Sequence, residues 1–100
     1  MSTITSIALV ERQDISGAAA LHVRLSAAVA DSREIVIDGG DVDEIDTAVV
    51  QLLVSLWRTC TERTIPCRWS SASVPLRRTA TLLGVAGFLE LGNGSNDAPA

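Results

Sequence analysis

The sequence predicts an α/β domain with a mostly parallel central sheet and helices packed on it. Three observations carry that expectation. Apolar residues recur at helical spacing in three segments, short apolar runs rich in β-branched residues stand between them, and the two kinds of segment alternate strand, helix, strand, helix, strand, helix. Alternation of this kind implies parallel strands joined by right-handed crossovers. At 100 residues the chain has material for one core and no room for two.

The stretch ITSIALV (4–10) is short, β-branched and partly alternating, and reads as the first strand. Asp14 then opens a segment with apolar residues at Ile15, Ala18, Leu21, Leu25 and Ala28 or Val29. That spacing of three and four makes an amphipathic helix, which ends around Asp31. Gly17 weakens it by about 1 kcal/mol relative to alanine, tolerable near the first turn. EIVID (34–38) is an unbroken run between charge and Gly39-Gly40, as expected of a strand buried on both faces.

Asp46 or Thr47 starts the second helix, with Val50, Leu53, Val54 and Trp57 on one side and Gln51, Ser55 and Arg58 on the other. It fades through residues 61–63, and Pro66 forbids its extension. CRWS (67–70) is a third short strand. Ser73 caps a third helix over 74–84, with Pro75 in the first turn, where a missing N–H costs nothing, and Gly84 as the C-terminal cap. FLEL (88–91) adds a short closing segment. The last residues, GNGSNDAPA, offer nothing to a core, so the expected domain is 1–91 and 92–100 a disordered tail.

Composition removes several function classes. The net charge is −4, every basic residue is arginine, and only three residues are aromatic. Neither a basic field for phosphates nor an aromatic platform for bases is present, so no nucleic-acid partner is expected. No phosphate loop of the form GxxxxGK[ST] and no GxGxxG occurs, so no cofactor is expected. The single histidine, His22 in AALHVRL, lies on a helix near the buried stripe, where it reads as a boundary residue. No GxSxG elbow accompanies it, and no acid–base pair is identifiable, so the chain is not expected to be an enzyme. Cys60 and Cys67 form no CxxC and have only His22 as a soft partner, too few ligands for zinc. They are expected as free thiols in a reduced, cytoplasmic chain. No signal peptide opens the sequence and no apolar run approaches the ~20 residues of a membrane span. Arg77 and Arg78 with Arg68 could make a small basic patch, but a solvated face is the favoured account of them.

The stretch DVDEIDTAVVQ holds the functional question. Asp41, Asp43, Glu44 and Asp46 lead directly into Thr47 at a helix start. They lack the DxDxDG spacing and the distal glutamate of a calcium loop, so no metal is expected, and their charge suits a helix N-terminus. Two readings of Thr47 stay open. Its hydroxyl could cap the helix, worth about 1 kcal/mol. Alternatively Asp46, the better cap, takes that task and leaves Thr47 at the first helical position with its hydroxyl at the surface. A phosphate added there would meet unpaired N–H groups while repelling a partner. In open α/β sheets the working surface lies at the carboxyl ends of strands, where this loop stands.

The arrangement resembles the STAS domain, the family of anti-sigma-factor antagonists and sulfate-transporter tails. The resemblance covers residues 4 to about 91 and is strongest in IVIDGGDVDEIDTAVVQLLVSL. This stretch is similar to the family's buried strand, aspartate loop and D-[ST]-[ST/A]-G-L-x-x-L helix start, and LLGVAGFLEL is similar to its closing helix and turn. The resemblance implies a STAS-like layered fold and a non-catalytic regulatory module. Asp46 matches the family aspartate and Thr47 the hydroxyl that a partner kinase phosphorylates, with Asp38, Asp41 and Asp43 as the supporting acidic loop. Position 48 is Ala and position 49 is Val where the family has a second hydroxyl and a glycine. The compact form also resembles chemotaxis-associated STAS proteins and the small STAS subunit of lipid-transport ABC complexes, where the threonine serves contact with the ATPase. The implied partners are an anti-sigma-factor kinase, a chemotaxis component or an ABC ATPase, with a weak homodimer also allowed.

Overall fold

The structure, a computed structural model, describes residues 3–91; the tail expected to be disordered lies outside them. Three parallel strands form the main sheet: β1 (Ile4–Ala8), β3 (Glu34–Gly39) and β5 (Cys67–Ala72), in the order β1-β3-β5. The run EIVID is therefore the central strand, with Ile35, Val36 and Ile37 all buried. Its pairing with β1 runs in unbroken register from Ile4↔Glu34 to Ala8↔Asp38. Pairing with β5 slips between Ile37 and Asp38, so Ile37 faces Trp69 and Asp38 faces Ser71. Helices α1 (Ala18–Asp31), α2 (Thr47–Arg63) and α3 (Val74–Leu82) complete the alternation.

The first helix is in two pieces, unlike the single segment its spacing implies. Residues Ile15–Gly17 form a 3₁₀ turn, capped by the Asp14 carboxylate, which accepts from Ser16 N at 3.1 Å. Gly17 is then the N-cap of α1, so it sits at a junction and imposes no interior cost. A second element is absent from the sequence reading altogether. Within the acidic loop, β4 (Glu44–Ile45) pairs in parallel with β2 (Arg12–Gln13). Two residues carry too little periodicity to announce a strand; pairing partners distant in sequence create it.

Both faces of β3 are covered, by a core that includes Leu21, Leu25, Val50, Leu53, Trp57, Leu76 and Leu89. The glycine pair leaving β3 is closely approached: a Cβ at Gly39 would meet Leu76 Cδ2 at 2.6 Å and Trp69 Cζ3 at 3.0 Å, and one at Gly40 would meet Ser71 Oγ. The two indoles of Trp57 and Trp69 stack with centroids 5.0 Å apart. Residues 86–91 close the described part of the chain as one tight turn with Leu89 and Leu91 buried and Phe88 exposed. Trp69 Nε1 donates to Leu89 O at 2.8 Å, and Arg77 Nη1 to Leu91 O at 2.9 Å. Those bonds occupy Arg77, while Arg68 pairs with Glu34 at 2.9 Å near the opposite end of β5. The basic patch conceivable from the sequence is not assembled.

Candidate functional site

The site grows from the carboxyl ends of β1 and β3. Beyond β1, the chain folds back so that Glu11 O accepts from Asp43 N at 2.7 Å and from Glu44 N at 3.1 Å. Gln13, buried, turns its Oε1 onto Val10 N at 2.8 Å and gives its carbonyl to Asp46 N at 3.0 Å. Val42 is the buried anchor of this loop, and Arg12 and Glu44 form an exposed ion pair at 3.2 Å across the small ladder. The acidic stretch is thus pinned at its backbone and points its carboxylates outward. Repulsion among them is moderated by water, which makes the display affordable in stability.

Asp46, one of the two candidates for the cap, stands at the N-cap of α2, but its side chain makes no capping bond to that helix. Its Oδ2 accepts instead from Ile15 N, at 2.9 Å, 31 residues earlier in the chain. The carboxylate therefore satisfies the first N–H of the turn leading into α1 and ties the starts of two helices together. Asp14 completes the junction: its carboxylate takes both Ser16 N and Ser16 Oγ, and the Ser16 side-chain bond, first among several causes, holds it below its ordinary pKa.

Thr47 is the first residue of α2 and is exposed. Among the described residues its hydroxyl makes no hydrogen bond, so it does not act as the cap. The first intrahelical acceptor is Asp46 O, which receives Val49 N and Val50 N. The N–H groups of Thr47 and Ala48 point outward without intrahelical acceptors, as the first turn of any helix requires. Asp41 and Asp43 are exposed in the preceding loop, and Asp38 Oδ1 accepts from Gly40 N at 3.0 Å, folding the turn that leaves β3. Of the acidic residues expected to support Thr47, Asp38 and Asp46 have structural bonds, and Asp41 and Asp43 contribute charge.

Sequence reasoning missed the apolar part of this surface. Val10, Ile15 and Val74 are exposed, and each follows the carboxyl end of a strand or opens the helix structure after it. Ile15 is joined directly to Asp46, so it neighbours Thr47. Their legible signal is a branched apolar residue at a loop position, where a solvated loop would hold a polar one. The surface combines a free hydroxyl, fixed carboxylates and exposed apolar side chains, as protein-binding patches do.

Elsewhere, His22 is exposed and lines a groove of about 340 Å³ between α1 and α2, with no hydrogen bond among the described residues. Cys60 and Cys67 are free thiols beside one another. Burial raises both, and for Cys67 the neighbouring Cys60 and then Glu90 push further in the same direction. Reactive thiols are lowered, so this pair is chemically quiet. Among the described residues no group of three metal-ligating side chains is placed to hold an ion, and no helix is long and apolar enough to cross a membrane.

Comparison with known proteins agrees with this geometry. No curated protein and no solved structure matches the chain. The family model described as "Mlab, STAS domain" does match it, over residues 4–91, which spans every strand and helix described above. STAS domains are in general regulatory modules that act by binding other proteins. The chain, with its central parallel sheet and its aspartate-threonine helix start, belongs to the STAS domain family.

Proposed function

We propose that the protein is a non-catalytic regulatory module that docks a protein partner through the carboxyl end of its sheet, with phosphorylation of Thr47 by a partner kinase as the switch. One observation supports this reading above the others. The Thr47 hydroxyl is exposed at the first position of α2 and has no structural task among the described residues. A phosphate there would lie against free N–H groups and the positive end of the helix dipole, so the fold tolerates it. It would also add nearly two negative charges beside Asp41, Asp43 and Asp46, enough to repel an acidic partner surface. The partner classes implied by the family resemblance are an anti-sigma-factor kinase, a chemotaxis component or an ABC ATPase, met in the cytoplasm.

The test uses Thr47→Glu and Thr47→Ala against the partner that the parent chain captures from its native host. The expected result is that Glu weakens binding at least about tenfold, the effect of a like charge at an interface, while Ala binds as the parent does. Intact-mass analysis after incubation with the partner kinase and ATP should show one phosphate on the parent and none on either variant. If Ala alone abolishes binding, the hydroxyl is a permanent contact, as in a constitutive subunit of a larger assembly, and the switch is rejected. Normal binding by both variants removes Thr47 from the interface.

A further inference from the structure

We propose that a second copy of this chain pairs with the open edge of β1, antiparallel about Ser6, to make a continuous six-stranded sheet. The argument begins with the two edges of the sheet, which differ. Strand β5 has an edge managed in the usual ways: a register slip against β3, the charged Arg68, and the 86–91 turn bonded to Trp69. Strand β1, with the sequence ITSIA, has no charge, no proline and no slip. A flat, uncharged edge is a template for another strand.

Backbone direction says which residues are available. Thr3 O accepts from Arg33 N and Leu9 N donates to Asp38 O, so odd-numbered residues direct their backbone groups toward β3. By alternation Ile4, Ser6 and Ala8 direct theirs to the open edge, and no hydrogen bond among the described residues engages them. An antiparallel copy centred on Ser6 places Ser6 against Ser6, Ile4 against Ala8 and Ala8 against Ile4. These positions alternate as hydrogen-bonded pairs do, giving about six bonds, two to each pair. Exposed Ile4 gains an apolar neighbour across the strand.

A second element obeys the same two-fold axis, and this selects a copy of the chain over any other strand. Beside β1 lies an open groove of about 300 Å³, lined by Thr5, Ser6 and Ile7 from the strand and by Arg24, Ala27 and Asp31 among others from α1. Arg24 and Asp31 are two turns apart, about 10 Å along one face of the helix, and Ala27 stands between them. Neither makes an ion pair among the described residues. Ser6 and Ala27 line the same groove, so a two-fold axis at Ser6, perpendicular to the sheet, sets the α1 helices of the two copies antiparallel on the same side of the joined sheet. Arg24 of each copy then faces Asp31 of the other, twice, and the small Ala27 permits the approach. A self-complementary patch of this kind is what an isologous two-fold contact needs. The joined sheets would run in opposite directions, so the two Thr47 surfaces stand at opposite ends of the dimer, free for two partners.

Sedimentation velocity of the full chain from micromolar to millimolar concentration tests this. The expected result is a shift from the 10.5 kDa monomer toward twice that mass. Ser6→Pro removes an outward N–H while sparing the β3 ladder, so it should stay monomeric with an unchanged far-ultraviolet circular dichroism spectrum. Arg24→Glu should raise the dissociation constant about tenfold or more, and Arg24→Glu with Asp31→Arg should restore it. This charge exchange decides the matter even if Ser6→Pro fails to fold. A parent chain monomeric throughout overturns the proposal and leaves the edge to a strand of another protein. A dimer indifferent to the folded Ser6→Pro variant, or to the charge reversal, overturns it as well.

Discussion

The two ends of α2 are built on opposite terms. At the N-terminal end Thr47 and Ala48 are exposed, and the bonds around them fix Asp46, the loop before it and the first turn of the helix. At the other end Trp57 and Cys60 are buried, Trp57 stacks on Trp69, and Trp69 is bonded to the closing turn through Leu89. One helix thus presents a surface with few structural duties and, within its length, a base where several elements depend on each residue. Sites that must change state or partner are found where local packing is sparse, and rigidity comes from the elements behind them.

Truncation at the buried base should break that comparison most severely. Trp57 is 4% exposed and loses both core contact and its stacking partner when it becomes Ala. The expected cost is about 3–5 kcal/mol, read from urea unfolding. Thr47→Ala in the same assay should stay within about 0.5 kcal/mol, as for a surface residue without a cap or packing role. Equal effects at the two ends would refute the division.

How far the sequence could anticipate this division depends on the range of the interactions. The central position of β3 was legible because a run with no alternation must be covered on both faces. Ser73 and Pro75 marked the start of α3, and Ser73 Oγ does accept from Leu76 N at 3.2 Å. Thr47 was legible as the first helical residue because acid and apolar segments meet there. The task of Asp46 was not, since local chemistry predicts a cap and the bond actually made reaches across 31 residues. The β2–β4 pair and the Arg77 bond to Leu91 are hidden for the same reason. Patterns report what a residue can do with its neighbours; tertiary bonds reassign polar groups with no trace in spacing.

A smaller effect sharpens the contrast through pH. Both thiols lie at the buried end, and both are raised above their ordinary value. A raised thiol keeps its proton in the folded state after the unfolded chain has lost it. Its contribution is therefore intact below the unfolded value and declines as pH rises above it, from about pH 8.5. The chain has no lysine and no tyrosine, so no other side chain ordinarily titrates between that point and pH 11. Stability should fall by at most about 1.4 kcal/mol per pH unit for each thiol, followed as the urea midpoint from pH 8 to 10.5. Cys67→Ser should remove most of the slope, since Cys67 has the larger shift. A flat profile in the parent would mean that the thiols are more open than their packing indicates.

The smallest effect expected is a gain, at the last turn of the same helix. Three segments end alike: Ile65 N bonds Cys60 O at 2.8 Å, Val85 N bonds Ala80 O at 2.9 Å, and Leu91 N bonds Ala86 O at 2.8 Å. Each requires one residue in the left-handed region, and these are Thr64 at φ 59°, Gly84 at φ 78° and Glu90 at φ 62°. Only glycine occupies that region without its Cβ crowding the carbonyl, and a non-glycine residue is worse there by about 1–2 kcal/mol. Thr64 is β-branched and exposed, so it is strained and has little packing to lose. Glycine at 64 gives back part of the gain through the entropy of the unfolded chain, about 0.4–1 kcal/mol. Thr64→Gly should therefore stabilise by roughly 0.5–1 kcal/mol, and Gly84→Thr should destabilise by about 1–2 kcal/mol. Chemical unfolding of the two variants beside the parent measures both signs in one experiment. Since no Thr47 surface is touched, partner binding should be unchanged in Thr64→Gly; a binding change would show that the base of α2 communicates with its exposed end.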